Sequence, residues 1–265
     1  MTAATAKPPT ARECAPAPWP APDRAIGLAM APPPVGPGSL LAVCGLAGGV
    51  GTTTLAYLIA VAAARQPGDA VLVADTGGPS GGLAACAGVE VPRSLSELGE
   101  QLGYGNPLGT GIYATRRDGL RVLASGPDFS PPDVADQLRP LLAYAREAHG
   151  LTVIDCGTLT RRAEQAVAAA ATHVAWMLNA TASGVERGGR VLKAAPRTAA
   201  KELIVARNDI RQTRASLRLL RRLAAERQAS LVLVPHLTRL ERGGIEACAD
   251  EAQVPVQAIL GVLRR

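Results

Sequence analysis

The chain has 265 residues and is 48% hydrophobic but only 3% aromatic, enough for one α/β domain of ordinary size or two small ones, with a core built from Ala, Val, Leu and Ile. Lys and Arg number 28 against 22 Asp and Glu, a formal net charge of +6, which permits a nucleic-acid or anionic-lipid partner without requiring one. Five widely spaced cysteines (Cys14, Cys44, Cys86, Cys156 and Cys248) with no CxxC argue against a disulfide framework or a zinc site and fit a reducing cytoplasm.

In chain order, residues 1–38 are rich in Pro and Ala, with the run Pro32-Pro33-Pro34 and a lone Trp19. Such a segment cannot bury enough apolar surface to offset its ordering entropy, so a disordered tail is predicted, a plain linker or a tether. It has no apolar h-region and does not read as a signal peptide. Ser39–Ala64 carries no charged residue and is long enough to span a bilayer. Its four glycines and three threonines cut it into two short apolar blocks, which read better as a strand, a loop and a helix.

From Leu40 on, short apolar runs alternate with helical stretches. Strands are predicted at Leu40–Cys44, Ala70–Ala74, Leu120–Ala124, Leu151–Ile154, His173–Leu178, Glu202–Ala206 and Leu231–Val234. Helices are predicted at Thr53–Arg65, Ser94–Leu102, Pro132–Ala148, Arg161–Ala171, Val185–Ala194, Thr213–Arg227, Leu240–Asp250 and Val256–Leu263. The alternation implies right-handed βαβ units in one domain, residues 39–265: an α/β fold with a doubly wound, mainly parallel sheet and helices on both faces.

The segment that carries chemistry runs from Leu41 to Leu55. A buried strand enters the glycine cluster Gly48-Gly49-Val50-Gly51, followed by Thr52, Thr53 and Thr54 at a helix start. Glycines let backbone N–H groups turn toward phosphates, the helix N-terminus adds unpaired donors, and a hydroxyl there can ligate Mg²⁺. The alternative is a glycine-rich turn with no ligand.

Gly48–Thr54 resembles the deviant Walker A loop of the MinD/ParA ATPases, Lys-Gly-Gly-x-Gly-Lys-Thr-Thr or -Ser. Gly48, Gly49, Val50, Gly51, Thr53 and Thr54 match. Ala47 stands where the family has the lysine that reaches the partner's nucleotide, and Thr52 where it has the lysine on the β/γ-phosphates. Within the family the form Gly-Gly-Val-Gly-Thr-Thr-Thr-Leu-Ala is similar to the CpaE/TadZ-like branch, which places the assembly machinery of Flp (Tad) pili. Those relatives often carry an N-terminal receiver-like domain, where this sequence has the Pro/Ala-rich segment.

The resemblance extends from Leu40 to the C-terminus and implies further site residues. Asp75 ends a strand near the metal, with Gly77 in place of the family's second acidic residue. Leu120–Gly126 resembles the strand that leads into a glycine turn. Asp155, in Leu151-Thr-Val-Ile-Asp-Cys-Gly157, falls at Walker B; the alternative, read from the residues alone, is a turn or helix cap. Asn208 stands near the base-reading position, which another register would give to Ala206.

The implied cofactor is ATP or ADP with Mg²⁺, and the implied assembly is a homodimer, with pilus or secretion machinery as partner and recruitment to the membrane or cell pole. A hydrogen bond to a charged group contributes roughly 1.5–3 kcal/mol, so losing the second lysine weakens binding about ten- to a hundredfold. Removing one preorganised electrostatic group costs on the order of 10²–10³ in rate, and here two lysines and an acid are missing. Slow or absent hydrolysis is expected. The rival readings are a working ATPase of DNA segregation or division-site placement, and an interaction module without nucleotide.

Two amphipathic stretches remain. Arg214, Arg218, Arg221 and Arg222 fall on one side of the helix predicted at Thr213–Arg227, with Arg211 just before it and Leu217, Leu219, Leu220 and Leu223 opposite. This is a solvated face or a phosphate-tracking stripe for non-specific DNA. The C-terminal Val256–Arg265 reads as a packed terminal helix rather than a peripheral membrane anchor. His149, His173 and His236 are isolated and suggest no catalytic triad.

Overall fold

The computed structural model describes residues 38–66, 70–76, 82–89, 114–117, 120–124, 135–195, 200–208, 213–240 and 244–264. The Pro/Ala-rich tail, the helix predicted at Ser94–Leu102, Gly77, Gly126 and Arg211 lie outside them.

The strands are β1 Ser39–Gly45, β2 Val71–Asp75, β3 Ala114–Arg117, β4 Leu120–Leu123, β5 Leu151–Asp155, β6 His173–Asn179, β7 Lys201–Arg207 and β8 Ser230–Val234. They form one sheet in the order β3-β4-β2-β5-β1-β6-β7-β8, parallel throughout except for β3, which pairs antiparallel with β4 at one edge. The α-helices whose bounds fall among the described residues are α1 Thr52–Ala64, α2 Gly82–Ala87, α3 Ala135–Ala148, α4 Arg162–Ala170, α5 Ala182–Ala194, α6 Arg214–Arg227 and α7 Gln253–Leu263.

Both faces of the sheet are covered, so its strands are apolar on both sides. In β1, Leu40, Ala42 and Cys44 point to one core, while Leu41 and Val43 point to the other. Leu138, Leu141 and Leu142 of α3, Val167 of α4, Leu192 of α5 and Leu220 and Leu223 of α6 fill the first core. Leu55–Val61 of α1, Leu83 of α2 and Val256, Ile259, Leu260 and Leu263 of α7 fill the second. The apolar side of α7 is thus already packed, as predicted for a terminal helix. Among the described residues no helix is long and apolar enough to cross a membrane. The uncharged run Ser39–Ala64 is β1, a glycine loop and α1.

The chain order creates a crevice. From β1 the chain crosses over one face through α1 to reach β2; from β5 it crosses over the other face through α4 to reach β6. β1 and β5 are hydrogen-bonded neighbours, so their outgoing connections part in opposite directions. In open α/β sheets this switch point, at the carboxyl ends of the strands, is where ligands bind.

Three expectations need correction. The helix predicted at Leu240–Asp250 does not run through its described part: Leu240 is helical, residues 241–243 lie outside the described residues, and Glu246–Cys248 form a 3₁₀ turn. Gly243 and Gly244 interrupt its apolar pattern, and Gly244 takes a positive φ of 69° that ends a helix. The edge strand β3, with sequence Ala-Thr-Arg-Arg, and the six-residue α2 were not predicted. On α6, Leu219 is exposed on the arginine side rather than buried with Leu220 and Leu223.

Candidate functional site

The loop between β1 and α1 closes over the end of β6. The Gly45 amide donates to the Gly157 carbonyl at 2.6 Å and the Leu46 amide to the Met177 carbonyl at 2.8 Å. These bonds fix the base of the loop to both neighbouring strands. Gly45 sits in a tight place: a Cβ there would lie 3.1 Å from the carbonyl oxygens of Ala47 and Gly157, so the loop backbone would have to give. Leu46 is buried in the first core, as Val50 is in the second. Gly48 and Gly49 are exposed, and a Cβ on either would meet no atom within 4 Å. The crown of the loop therefore borders open space.

Gly49 (φ 71°) and Gly51 (φ 97°) both occupy the left-handed region that favours glycine. Gly51 is the N-cap of α1 and has no side chain with which to cap it; the first helical bond runs from the Leu55 amide to the Gly51 carbonyl at 3.0 Å. The contrast with other helices is informative. Thr181 accepts the Gly184 amide at the start of α5, and Thr213 and Ser216 cap α6 reciprocally. Among the described residues no side chain caps the start of α1, where the helix dipole favours an anion.

Beside the loop, Thr53 Oγ1 donates to Asp155 Oδ2 at 2.5 Å, and the Gly157 amide donates to Asp155 Oδ1 at 3.1 Å. Burial raises the Asp155 pKa; the bonds from Thr53, Gly157 and Thr52 oppose the shift, and Glu164 adds to it. Asp75 ends the adjoining strand in direct register with Asp155, and each residue is only 7% exposed. Neighbouring strands lie about 4.8 Å apart, so two carboxylates meet in one buried corner next to a threonine hydroxyl. Among the described residues there is no cluster of three or more His, Cys, Asp or Glu that could hold a metal by itself. One hydroxyl with carboxylates behind it suits Mg²⁺, which keeps several waters and shares ligands with substrate phosphates.

A second group of polar atoms lies at the ends of β6 and β7. Asn179 and Arg207 are register partners, and Asn208 follows, its amide donating to the Val234 carbonyl. Asn179 Oδ1, Asn208 Oδ1 and Arg207 Nε are buried and make no hydrogen bond among the described residues. Arg207 Nη1 donates to the Gly49 carbonyl at 3.2 Å, tying β7 to the crown of the loop.

Sequence reasoning placed Gly48–Thr54, Asp75, Asp155 and Asn208 at the site, and all lie at the carboxyl ends of β1, β2, β5 and β7 in one sheet. It missed Asn179 and Arg207. Their position as the last residues of adjacent parallel strands was the signal that could have found them. The arginines predicted as a polyanion face are elsewhere: Arg214, Arg218, Arg221 and Arg222 are exposed on α6, where Arg222 pairs with Glu226 at 2.8 Å. A groove of about 500 Å³ between α5 and α6 carries Arg190, Lys193 and Arg222 with Glu186 and Glu226, so its charge is mixed.

Of the other residues weighed in the sequence, Cys44, Cys156 and Cys248 are buried, and Cys86 is half-buried, its thiol pushed up by burial and by Asp155. His149 and His173 are buried, with Nδ1 against the Ala145 carbonyl and the Thr172 hydroxyl respectively; burial lowers both pKa values. His236 is exposed.

No protein-family model and no curated protein matches the sequence. Solved structures do match the fold. A ParA family ATPase from Chlorobium tepidum aligns with TM-score 0.67 and 13% identity over 86% of this chain and 98% of that one. The ATP complex of a Cyanothece McdA variant aligns with TM-score 0.61 and 17% identity over 84% and 96%. The MinC:MinD cell division protein complex of Aquifex aeolicus aligns with TM-score 0.58 and 15% identity over 84% and 96%. The chain has the α/β fold of these ParA/MinD P-loop proteins.

Proposed function

We propose that this chain is a MinD/ParA-type nucleotide-binding protein of the CpaE/TadZ-like kind, a spatial organiser for pilus or secretion assembly. In this reading ATP or ADP biases its conformation or its homodimer state, with little turnover. The observation that carries the reading is the uncapped glycine loop beside the Thr53–Asp155 hydrogen bond, with no lysine in the loop. The ATP-bound McdA neighbour supports nucleotide as the ligand, and the MinC:MinD complex supports a protein partner.

The amides of Gly48–Thr54 would hold the phosphates, and the open space at Gly48 and Gly49 leaves room for them. Thr53, backed by Asp155 and Asp75, would hold the Mg²⁺, which supplies positive charge against the phosphates and both carboxylates. Asn179 and Asn208 offer buried acceptors to a base amino group. What the loop lacks is fixed positive charge on the transferring phosphate, the largest single contribution to such catalysis.

Turnover of Mg·ATP is therefore expected below about 0.1 s⁻¹, at least 10²-fold under a typical enzyme value of about 10 s⁻¹. ATP is nonetheless expected to shift the sedimentation coefficient toward a dimer. Steady-state hydrolysis and analytical ultracentrifugation check the two halves. Brisk turnover abolished by Asp155→Ala would replace this reading with a working segregation or division-site ATPase. No response of sedimentation or melting to any nucleotide would leave an interaction module. Pilus ATPase genes beside this one would support the assembly role, and a centromere-binding partner there would oppose it.

A further inference from the structure

The electrostatics of the proposed nucleotide site do not balance on the loop alone. Residues 45–54 contain no Lys or Arg. Asp75 and Asp155 bring two buried carboxylates to the same strand ends. A nucleoside polyphosphate adds more negative charge. The α1 dipole supplies roughly half an elementary charge, and a divalent ion is shared between carboxylates and phosphates. A site of this composition needs a further cation near the crown of the loop.

Arg207 is the basic side chain that the described contacts bring there. Its Nη1 holds the Gly49 carbonyl at 3.2 Å. Among the described residues its buried Nε has no hydrogen-bond partner and Arg207 forms no ion pair. The guanidinium carries five donors in a planar fork suited to phosphate oxygens, and the Gly49 bond uses one of them. A neutral backbone carbonyl is a poor match for a permanently charged group, since bonds between charged partners are the stronger ones. The guanidinium therefore sits at the loop with charge and donors unspent.

Resting on the nucleotide reading above, we propose that Arg207 is a phosphate-binding residue that supplies from the end of β7 the positive charge missing from the loop. The glycine loop positions the phosphates through its amides, and Arg207 neutralises them from the side. The anchor on Gly49 places the charge before ligand arrives, which limits the ordering that binding must impose. The role is binding: the anchor holds the guanidinium at one side of the loop rather than on a residue that activates water.

The test is titration of Mg·ATP into the wild type, Arg207→Gln and Arg207→Lys, each with its ligand-free melting temperature. Gln keeps a polar side chain but carries no charge and is two bonds shorter; Lys keeps the charge but loses the fork. Arg207→Gln is expected to weaken ATP binding about ten- to a hundredfold, with Arg207→Lys recovering most of the loss and both variants melting near the wild type. ATP binding by Arg207→Gln at wild-type affinity overturns the inference and leaves the nucleotide reading intact. So does equal weakening in both variants with a lowered melting temperature, which marks a packing role. A wild type that binds no ATP overturns both.

Discussion

Replacing Asp155 with Asn is expected to raise the melting temperature of the ligand-free protein by a few degrees while abolishing the stabilisation given by Mg·ATP. Asp155 is 7% exposed and in register with Asp75, and burial is the largest cause of its raised pKa. Its charge destabilises the fold when no cation is present. Relieving such a site commonly stabilises by about 0.5–2 kcal/mol, a few degrees in a domain of this size. Asn retains an acceptor for the Thr53 hydroxyl or the Gly157 amide but offers little to Mg²⁺.

The sign of the pH dependence follows from the same shift. Between the ordinary carboxylate pKa and the raised one, the folded state binds the proton and the unfolded state does not. Asp155 therefore costs stability as pH rises through that window, and the cost is constant above it. Thermal melts from acid to neutral pH should show this component in the wild type and lose it in Asp155→Asn. A variant that melts lower than the wild type at neutral pH, with an unchanged pH profile, would mean that the hydrogen bonds from Thr53 and Gly157 outweigh the buried charge.

The largest loss of stability is expected away from the site. Arg227, at the end of α6, is 8% exposed and Glu202, in β7, 6% exposed. Arg227 Nε donates to Glu202 Oε2 at 2.7 Å, Nη2 engages the other carboxylate oxygen, and Nη1 donates to the Leu192 carbonyl at 3.1 Å. One guanidinium thus joins α6, β7 and α5. Removing it leaves Glu202 buried and unpaired, which typically costs about 3–5 kcal/mol. Arg227→Met should lower the melting temperature by on the order of 10 °C. Combining it with Glu202→Leu should recover most of the loss, because an apolar pair needs no desolvation of charge. Denaturant unfolding of the single and double variants checks this; a single variant within about 1 kcal/mol of the wild type would show that Glu202 finds water or another partner.

The sequence disclosed the fold because its strands are buried on both faces and read as nearly unbroken apolar runs. β1, β5, β6 and β7 lie within one residue of their predicted limits at either end. β3 escaped because Ala-Thr-Arg-Arg has no apolar alternation; its pairing partner β4 makes it a strand. Helix α2 escaped because a six-residue stretch with Leu83 as its single large side chain carries no period. The loop and its two aspartates were readable because each ends or follows a strand, in an order that local sequence preserves. Arg207 was not, because its contact with Gly49 spans 158 residues and exists only once β7 is placed two strands from β1.

The most direct test of the central claim is calorimetric titration of the protein with Mg·ATP and Mg·ADP, alongside Gly48→Glu. Gly48 has open space around it and no positive φ, so Glu there should fold normally while placing a negative side chain in the proposed phosphate site. The account predicts micromolar binding by the wild type and none by a folded Gly48→Glu. Absence of heat and of any thermal shift in the wild type at millimolar nucleotide, or equal binding by the variant, would contradict it.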